Sequence, residues 1–385
     1  MQSPPVSRRD VIFTFAATSW SGADQRGFSF PEDRLAQALI DNRRVERLLI
    51  CDPARGLPRM LARAAMGHRG SPFPSSDTVA HHSPIRLRRD DPTGLRDLQD
   101  AYAAYERGIE RAAREHGLKD PVVITANPLL AGFGDFGWAG PLTYYAWDDW
   151  SAYEPQRRWW SRYEDAFAHL RAKRRRLAAV SPQIVERIRP TGHSAVIPNG
   201  IEPSEWQRLP PPPDWFADRP APRLLYIGSL QSRVDVDQLL QLASEMPDCS
   251  ITLVGPLLEP AHFTRLCDVH NVAVHESVSR TEIAGLVGHA DVGLIPHVRS
   301  PLTMAMSPLK LFEYLAGGVP VAAVDLPGNA GVSERVLLVP PGGRITDAVR
   351  HALSLGRQDD GGRLEFVALN SWQRRFDALL DVAFA

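Results

Sequence analysis

Short apolar runs alternate with helical patterns along the whole chain, and this alternation restricts its fold more than any other feature. Parallel strands that are covered by helices on both faces have nearly continuous apolar sequences. Their alternation with helices predicts parallel α/β layers. With 385 residues, the chain is long enough for two domains with separate cores. We therefore expect an α/β protein with two parallel sheets.

The apolar runs predict strands in both halves of the chain. In the first half they lie at 11–16, 47–51, 122–125, 143–146 and 178–180, separated by helical patterns at 31–41, 96–116 and 156–176. In the second half they lie at 224–227, 251–254, 272–274, 292–295, 319–324 and 336–339, with helices at 236–245, 280–288, 308–316 and 346–355. Residues 67–94 are rich in His, Ser, Pro and Arg and predict an irregular segment.

A domain junction is predicted near residue 200. The segment 197–202 contains an Asn-Gly pair, which favours a tight turn, and a proline tract follows at 210–213. We therefore expect a first domain at 1–199 and a second domain at 200–363. The last helical pattern, 364–385, either packs on the second domain or crosses back to the first.

The segment 307–321 carries the most informative local pattern. Ser307 is a residue type that caps helices, and Pro308 suits the first helical position. An apolar stripe follows, Gly317 and Gly318 end the helix, and a buried strand comes next. The segment therefore predicts a capped helix, a glycine stop and a buried strand.

Lys310 does not fit a helix that is purely structural. A cation in the first turn opposes the helix dipole, whereas an anion bound at the N-terminus would make the same lysine favourable. Glu313 lies on the same edge of the helix and can accept hydrogen bonds from vicinal hydroxyls. A phosphate reader beside a hydroxyl reader predicts a site for a ribose diphosphate. The alternative is a Lys310–Glu313 surface pair, although Lys before Glu is the weaker order.

This segment resembles the donor-binding helix of retaining B-type glycosyltransferases, particularly family 4 and its bacterial polysaccharide and cell-envelope relatives. The resemblance implies two Rossmann-like domains facing across a cleft, with a nucleotide-sugar donor, expected to be a UDP-sugar, in the second domain. It implies a glycan, lipid-linked or small-molecule acceptor in the first domain, and transfer with retention. In that family the glutamate matching Glu313 binds the nucleotide ribose, and nearby basic residues bind the diphosphate.

One position departs from the family pattern. Many members carry a second glutamate eight positions before the first, in contact with the donor sugar, and Ala305 stands there in this chain. Two alternatives to a glycosyltransferase therefore stay open. One is a catalytically degenerate homologue that binds nucleotide sugars, and the other is a B-fold sugar-nucleotide epimerase.

The resemblance extends the donor site beyond the helix. The strand at 224–227 ends in Gly228 and Ser229, and a strand-end glycine lets the backbone approach a ligand. In the family this loop lies against the donor phosphates, which makes Arg233 a candidate; the alternative is a solvated arginine. The loop after the strand at 272–274 would contact the base through Val278. The predicted donor-binding residues are Gly228, Ser229, Arg233, Val278, Ser307, Leu309, Lys310 and Glu313.

The first domain offers candidates for catalysis and acceptor binding. Asp148 and Asp149 follow the strand at 143–146, at the sheet edge where α/β proteins bind ligands. They resemble a Tyr-x-x-x-Asp-Asp stretch of some polysaccharide glycosyltransferases, and the alternative is a helix cap. Trp147 could stack on a sugar face. Gly22 and Arg26 lie in the exit loop of the first strand and belong to the same edge.

We predict no metal and no cofactor. Asp235 and Asp237 have the D-x-D spacing with which A-type glycosyltransferases hold a metal-bound nucleotide. They immediately precede an apolar-periodic helix, so capping and dipole roles explain them better. Catalysis is therefore expected to be electrostatic, from Lys310, Arg233 and helix amides around the leaving diphosphate.

Location is predicted from the N-terminus and the cysteines. Arg8 and Arg9 before the apolar run 11–17 resemble a twin-arginine export signal, but the run is short and lacks a clear cleavage site, so a first strand explains it better. Three widely spaced cysteines favour a reducing cytoplasm. No run approaches the roughly 18 apolar residues of a membrane span.

The segment 157–176 is the outlier in an otherwise balanced chain. It carries a net charge of +6 with interleaved aromatic residues, whereas the whole chain has a net charge of −1. An aromatic-bearing basic helix suits an anionic membrane surface, which would place the protein at the inner face of the membrane. A solvated helix face is the main alternative, and we expect no nucleic-acid partner.

Overall fold

The computed structural model describes residues 8–16, 18–56, 72–86 and 90–385. The chain divides into two compact units. One comprises Met1–Pro198 with Arg375–Ala385, and the other comprises Asn199–Arg374.

The first unit is built on a seven-stranded parallel sheet with the strand order β4-β2-β1-β6-β7-β8-β9. Two short strands, β3 and β5, form a separate parallel pair. The strands are β1 (Arg9–Thr14), β2 (Val45–Cys51), β3 (Arg55–Gly56), β4 (Val79–His82), β5 (Ile85–Arg86), β6 (Val122–Thr125), β7 (Leu142–Ala146), β8 (Arg176–Ala179) and β9 (Ser194–Val196).

Helices connect these strands. Those described in the first unit are α1 (Trp20–Gln25), α2 (Pro31–Ile40), α3 (Leu95–Glu115), α4 (Pro128–Phe133), α5 (Trp160–Ala172) and α6 (Pro182–Ile188), with a 3-10 turn at Glu154–Trp159.

The second unit has a six-stranded parallel sheet with the order β12-β11-β10-β13-β14-β15. Its strands are β10 (Arg223–Ile227), β11 (Ser250–Val254), β12 (Val272–His275), β13 (Val292–Ile295), β14 (Val321–Val324) and β15 (Val336–Val339). Its helices are α7 (Pro203–Trp206), α8 (Asp214–Ala217), α9 (Val236–Glu245), α10 (Pro260–Phe263), α11 (Arg280–His289), α12 (Pro301–Ala305), α13 (Leu309–Ala316), α14 (Ile345–Leu355) and α15 (Asp360–Leu369), with a 3-10 turn at Thr264–Leu266; α16 (Trp372–Phe384) ends the chain.

Both faces of the second sheet are buried. Along β10, Leu225 and Ile227 enter one apolar cluster, while Leu224 and Tyr226 enter the cluster on the opposite face. Side chains alternate across a strand, so a strand covered on both sides must be apolar at every position. This explains the continuous apolar runs and confirms the predicted fold class of two parallel α/β sheets.

The strands that the sequence missed are short. The structure confirms all six strands predicted in the second half and all five in the first half, with ends shifted by a few residues. The predictions omitted β9, β4 and the β3–β5 pair. The irregular segment predicted at 67–94 lies partly outside the described residues, and the part described contains β4 and β5. These strands have two to four residues each, too few to show a period.

Two predicted helices are divided. The helix predicted at 364–385 is α15 and α16, because Asn370 and Ser371 leave the helix to pair with Ile201: the Ile201 amide donates to the Asn370 carbonyl (3.0 Å) and the Trp372 amide to the Ile201 carbonyl (2.9 Å). The helix predicted at 156–176 starts as a 3-10 turn and ends at Ala172, since Arg174 is left-handed (φ +50°) and Arg176 begins β8.

Candidate functional site

The loops after β10 and β11 meet backbone to backbone at the carboxyl edge of the second sheet. Gly228 has a φ of +125° and Gly255 a φ of +150°, which side chains rarely adopt. A Cβ atom on Gly255 would lie 2.1 Å from the Gly228 carbonyl oxygen, and one on Gly228 would lie 2.9 Å from Lys310 Nζ. The missing side chain at Gly255 therefore lets the two loops approach each other, and the missing side chain at Gly228 leaves room for Lys310.

Lys310 packs over an aromatic ring and forms no ion pair with a described residue. Its Nζ is 3.8 Å from the centroid of the Tyr226 ring and 3.4 Å from His297 Nε2. Burial lowers the pKa of Lys310 well below its usual value, the Arg233 charge lowers it further, and Glu313 opposes both. Within the described part of the chain, neither Lys310 nor Arg233 forms a salt bridge. The Lys310–Glu313 surface pair, kept as an alternative above, is therefore absent from these contacts.

His297 completes this group, and sequence reasoning did not select it. Its side chain is buried, and no described residue bonds its Nδ1 atom. Burial, together with the Lys310 and Arg233 charges, lowers the pKa of His297 well below the usual value, so the imidazole is neutral at pH 7. The only available signal was its position two residues after β13, at the carboxyl edge of the sheet. We call Arg233, His297 and Lys310 the basic cluster.

The N-terminus of α13 is open beside the basic cluster. The structure corrects the capping prediction: the helix begins at Leu309, Pro308 is the N-cap residue, and no side chain bonds the first amides. Ser307 is occupied instead by Asn199, whose amide donates to Ser307 Oγ (3.1 Å) and whose Nδ2 donates to the Ser307 carbonyl (2.6 Å). Uncapped amides and a cation at one helix end form a ready site for an anion.

Glu313 lies one turn further along α13, and its side chain is only 10% exposed. Arg280 Nη1 is 2.5 Å from Glu313 Oε1, and Arg280 Nη2 is 2.7 Å from Glu205 Oε2. The Glu313 charge, followed by that of Glu205, raises the pKa of Arg280, and burial opposes this. The sequence did not predict this arginine, because it comes from a helix start more than thirty positions away.

The remaining predicted donor residues belong either to the Lys310 end or to the Glu313 end of the site. Leu309 is half-buried at the start of α13. Ser229 follows Gly228, and its carbonyl accepts a hydrogen bond from the Tyr226 hydroxyl (3.3 Å). Val278 lies two residues before Arg280 and packs against the apolar cluster of the second unit. Gly228, Arg233 and Lys310 are thus brought together, while Val278 belongs to the Glu313 end.

The two predicted catalytic aspartates have different surroundings. Asp149 is buried, its Oδ1 accepts hydrogen bonds from Ser151 N (3.0 Å) and Oγ (2.5 Å), and its Oδ2 is 3.4 Å from Arg187 Nε. Asp148 is half-buried, and its Oδ1 accepts from the Asp149 amide (2.8 Å). These contacts hold Asp149 in a turn, and they do not make it the helix cap kept as an alternative above, because the next helical element begins at Glu154 with Tyr153 as its N-cap. The catalytic role stays a prediction.

The acceptor-side candidates contact other parts of the first unit. Gly22 is in helix α1, not in a loop as predicted, because Ser19 caps this helix and its Oγ accepts from the Gly22 amide (3.2 Å). Arg26 Nη2 donates to both carboxylate oxygens of Asp33 (3.0 and 2.9 Å). Trp147 stacks against Phe30, with ring centroids 6.0 Å apart. Their acceptor roles stay predictions.

Glu32, which the sequence did not suggest, is the most perturbed carboxyl on this side. It is buried in the first turn of α2 and accepts a hydrogen bond from the Ala16 amide (2.7 Å). Burial raises the pKa of Glu32 to about 8. A helix-start glutamate is normally exposed, so nothing in the sequence marks this one.

The D-x-D spacing has a structural explanation. Asp235 caps α9, with its Oδ1 accepting from the Gln238 amide (3.0 Å), as the capping prediction required. Asp237 is exposed and pairs with Arg265 (2.6 Å). Across residues 8–16, 18–56, 72–86 and 90–385, no three or more His, Cys, Asp or Glu side chains are grouped so as to hold a metal ion.

Three of the four aromatic side chains of the basic segment 157–176 are turned inward. Trp159, Tyr163 and Phe167 are buried, and Trp160 is half-buried. The cations of the segment bond main-chain carbonyls: Lys173 Nζ that of Gly134 (2.7 Å), and Arg171 Nη1 that of Ile188 (2.9 Å). The aromatic half of the membrane hypothesis therefore has no support, and membrane binding stays a prediction. No helix in the described part of the chain has the length and apolar character needed to cross a bilayer.

Comparison with known proteins gives a family match for part of the second unit. Residues 221–355 match the model of the family described as glycosyl transferases group 1. A Bacillus subtilis (strain 168) protein described as a teichuronic acid biosynthesis glycosyltransferase, TuaH, is 31% identical over 107 residues, which cover 27% of this chain and 27% of that protein. The match thus spans about a quarter of the relative's length.

Solved structures match almost the whole chain at low identity. Sucrose-phosphate synthase from Thermosynechococcus elongatus is 17% identical with a TM-score of 0.69, over 97% of this chain and 98% of that chain. Trehalose-6-phosphate synthase from Burkholderia multivorans is 13% identical with a TM-score of 0.65, over 98% of each. Anabaena HepE, solved with UDP and glucose, is 15% identical with a TM-score of 0.62, over 98% of this chain and 100% of that chain. The chain therefore has the B-type glycosyltransferase fold, and its residues 221–355 match the group 1 family model.

Proposed function

We propose that this chain is a glycosyltransferase that takes a UDP-sugar as donor, binds it in the second unit, and needs no metal ion. The observation that carries the proposal is the basic cluster: Lys310 and Arg233 lie together without a salt bridge from any described residue, beside an open helix N-terminus. Both side chains are half-buried, and a cation that is partly removed from water is costly unless an anion pairs with it. A diphosphate would supply that anion.

The same contacts suggest how the diphosphate would be stabilised as a leaving group. When the bond from the anomeric carbon to the diphosphate oxygen breaks, negative charge increases on the diphosphate. Lys310, Arg233 and the first amides of α13 would face that charge in a partly dry environment, where fixed donors are most effective. This role replaces the metal that A-type enzymes use.

Glu313 supports a nucleotide rather than a simple phosphate. Its carboxylate is on the same helix as Lys310, one turn away, and can accept hydrogen bonds from vicinal ribose hydroxyls. Related folds are consistent with this donor, since HepE was solved with UDP and glucose and the Escherichia coli trehalose-6-phosphate enzyme with UDP-2-fluoro glucose.

The acceptor is proposed to be a glycan, a lipid-linked sugar or a small molecule, and transfer is proposed to retain the anomeric configuration. Both proposals rest on the family resemblance, and TuaH, described as a teichuronic acid biosynthesis enzyme, is consistent with a polysaccharide acceptor. Proton NMR of the first product formed from an α-linked UDP-sugar would show whether the new bond is α or β.

Calorimetry tests the donor site. UDP should bind with and without EDTA, and Glu313→Ala should weaken binding by about 1.5–3 kcal/mol, the range for hydrogen bonds to charged groups. Loss of UDP binding on chelation would refute the metal-free proposal. Absence of UDP binding under both conditions would refute the donor assignment itself.

One observation favours a second candidate, a homologue that binds nucleotide sugars without turnover. Ala305, at the position of the missing family glutamate, is a buried residue in α12, and its methyl side chain offers no polar group to the donor sugar. Mass spectrometry of UDP-sugars incubated with and without lipid extract separates the candidates. Transfer products indicate a glycosyltransferase, an altered free UDP-sugar indicates an epimerase, and unchanged sugar with UDP binding indicates the degenerate homologue.

A further inference from the structure

Arg280 links two carboxylates at the hydroxyl-reading end of the donor site. One guanidinium nitrogen is 2.5 Å from Glu313 Oε1, and the other is 2.7 Å from Glu205 Oε2. The side chains of Arg280, Glu205 and Glu313 are 32%, 21% and 10% exposed. One nitrogen of the Arg280 guanidinium therefore bonds Glu313, while the other nitrogen bonds Glu205 and fixes the orientation of the guanidinium.

Arg280 is not needed to begin its own helix. Ser279 and Glu282 form a capping box at the start of α11: Ser279 Oγ accepts from the Glu282 amide (3.2 Å), and Glu282 Oε2 accepts from the Ser279 amide (2.9 Å). A cation in the first turn opposes the helix dipole. Its placement is therefore explained by the two carboxylates it joins and not by the local helix.

Glu313 keeps one oxygen available. Oε1 is occupied by Arg280, whereas no residue in the described ranges donates a hydrogen bond to Oε2. A carboxylate whose orientation is fixed through one oxygen presents the other in a defined direction. This lowers the conformational entropy lost when a ligand hydroxyl binds.

We infer that Arg280 is a positioning residue that orients Glu313, so that Oε2 faces the vicinal hydroxyls of the donor ribose. The inference rests on the proposed function, because it assumes a nucleoside diphosphate at this site. Arg280 would act through Glu313 and would not touch the reacting atoms. A lysine could keep the charge but could not bond two carboxylates through a planar fork.

The test compares UDP with 2′,3′-dideoxy-UDP, which lacks both hydroxyls, by calorimetry on each variant. The ratio of the two dissociation constants measures hydroxyl reading, and a partly unfolded fraction affects both ligands equally. The variants are Glu313→Gln, Arg280→Gln, Arg280→Lys and the double variant. Arg265→Gln is the matched control, since Arg265 also pairs with a carboxylate but is exposed.

Wild-type protein should favour UDP over the dideoxy ligand by at least about tenfold, the value of one charged hydrogen bond. Glu313→Gln and Arg280→Gln should each remove most of this preference while changing dideoxy-UDP affinity less than about threefold. The double variant should lose no more than Glu313→Gln alone, because both act on one contact. Arg280→Lys should restore at most a small part, and Arg265→Gln should change nothing.

The outcomes separate two failures. If wild-type protein binds neither ligand, the proposed function is wrong. If UDP binds and Glu313→Gln abolishes the preference while Arg280→Gln keeps it, the donor site stands and the positioning role is refuted. Full rescue by Arg280→Lys would also overturn the inference, since charge alone would then suffice.

Discussion

Two groups of basic side chains lie at opposite ends of helices. In the first unit, Arg171 bonds the carbonyl of Ile188, the last residue of α6, and Lys173 bonds that of Gly134, the C-cap of α4. Helix C-termini carry partial negative charge and unpaired carbonyls, so cations are stabilising there. In the second unit, Lys310 is at the N-terminus of α13, where partial positive charge opposes it.

This difference in partners distinguishes cations that stabilise the fold from cations that are available to bind a ligand. The segment 157–176 has a net charge of +6, yet its half-buried cations already have partners in the protein. The basic cluster is smaller, but its charges lack a carboxylate among the described residues. The candidate site is therefore identified by half-buried cations that form no salt bridge with a described residue, more than by charge density.

The largest expected effect comes from Lys310→Met. UDP affinity should fall by about 2–3 kcal/mol, as for loss of a charged hydrogen bond in a partly buried site. Uridine affinity should change little, because uridine carries no phosphate. Thermal stability should stay the same or rise, since the variant removes a half-buried cation that forms no salt bridge with a described residue. Calorimetry and thermal unfolding measure these quantities. An equal loss for UDP and uridine would contradict the diphosphate assignment.

Proton uptake gives the next effect. Burial lowers the pKa of Lys310, so between its folded pKa and its ordinary value of about 10.4 the unfolded chain binds more protons than the folded one. The stability of the ligand-free protein should therefore rise with pH across that interval. A bound diphosphate would raise the pKa again, so UDP binding at pH 8 should take up protons.

This uptake is measured by calorimetry in buffers of different ionisation enthalpy. Lys310→Met should reduce it, and any remainder would report His297, whose pKa is also lowered. UDP binding whose enthalpy does not depend on the buffer would contradict the predicted proton uptake.

Lys173→Met makes the same substitution in the segment 157–176, and we expect it to lower stability without changing UDP affinity, the reverse of Lys310→Met. It leaves the Gly134 carbonyl without its lysine donor, so the free energy of unfolding should fall by about 1 kcal/mol. UDP affinity should not change. Chemical denaturation with calorimetry checks both. A stability loss larger for Lys310→Met than for Lys173→Met would invert the comparison.

Much of the fold could be predicted because its signals are local. A run such as 292–295 is apolar at every position for one reason, burial on both faces, and β13 lies there. The break between α15 and α16 could not be predicted, because it depends on pairing with Ile201, far away in the sequence. The capping role of Ser307 failed for the same reason, since Asn199 occupies its hydroxyl.

The candidate site divides in the same way. Lys310 and Glu313 were visible because one helix carries both, and their spacing fixes their shared edge. His297 and Arg280 come from other elements and have no local pattern that marks them. Among the first-unit candidates, the sequence places Arg26 at the ligand-binding edge of the sheet but does not show that its guanidinium is hydrogen-bonded to the carboxylate of Asp33.

The smallest effect is expected from the exposed cations of the basic segment. Arg174 is exposed, while Arg157 and Arg158 pair with surface carboxylates and lie over the rings of Trp160 and Trp159. Such exposed contacts contribute little, so replacing all three arginines with Gln should change stability by about 1 kcal/mol or less. With Trp159, Tyr163 and Phe167 buried and Trp160 half-buried, charge is the main attraction to a membrane, at about 1 kcal/mol per residue near an anionic surface. Salt-sensitive, weak sedimentation with anionic vesicles is therefore the most we expect from wild-type protein, and the triple variant should lose it.

This choice of residues avoids an ambiguity. Replacing Arg171 or Lys173 would remove carbonyl partners and weaken folding, so release from vesicles could not be assigned to lost charge. The triple variant leaves those contacts intact, and UDP affinity in the same sample reports that the second unit is folded. Tight wild-type binding that survives in both 0.5 M salt and the triple variant would locate a membrane-binding surface elsewhere on the chain. No binding at low salt would leave the segment 157–176 as a structural element whose cations serve the helix ends around it.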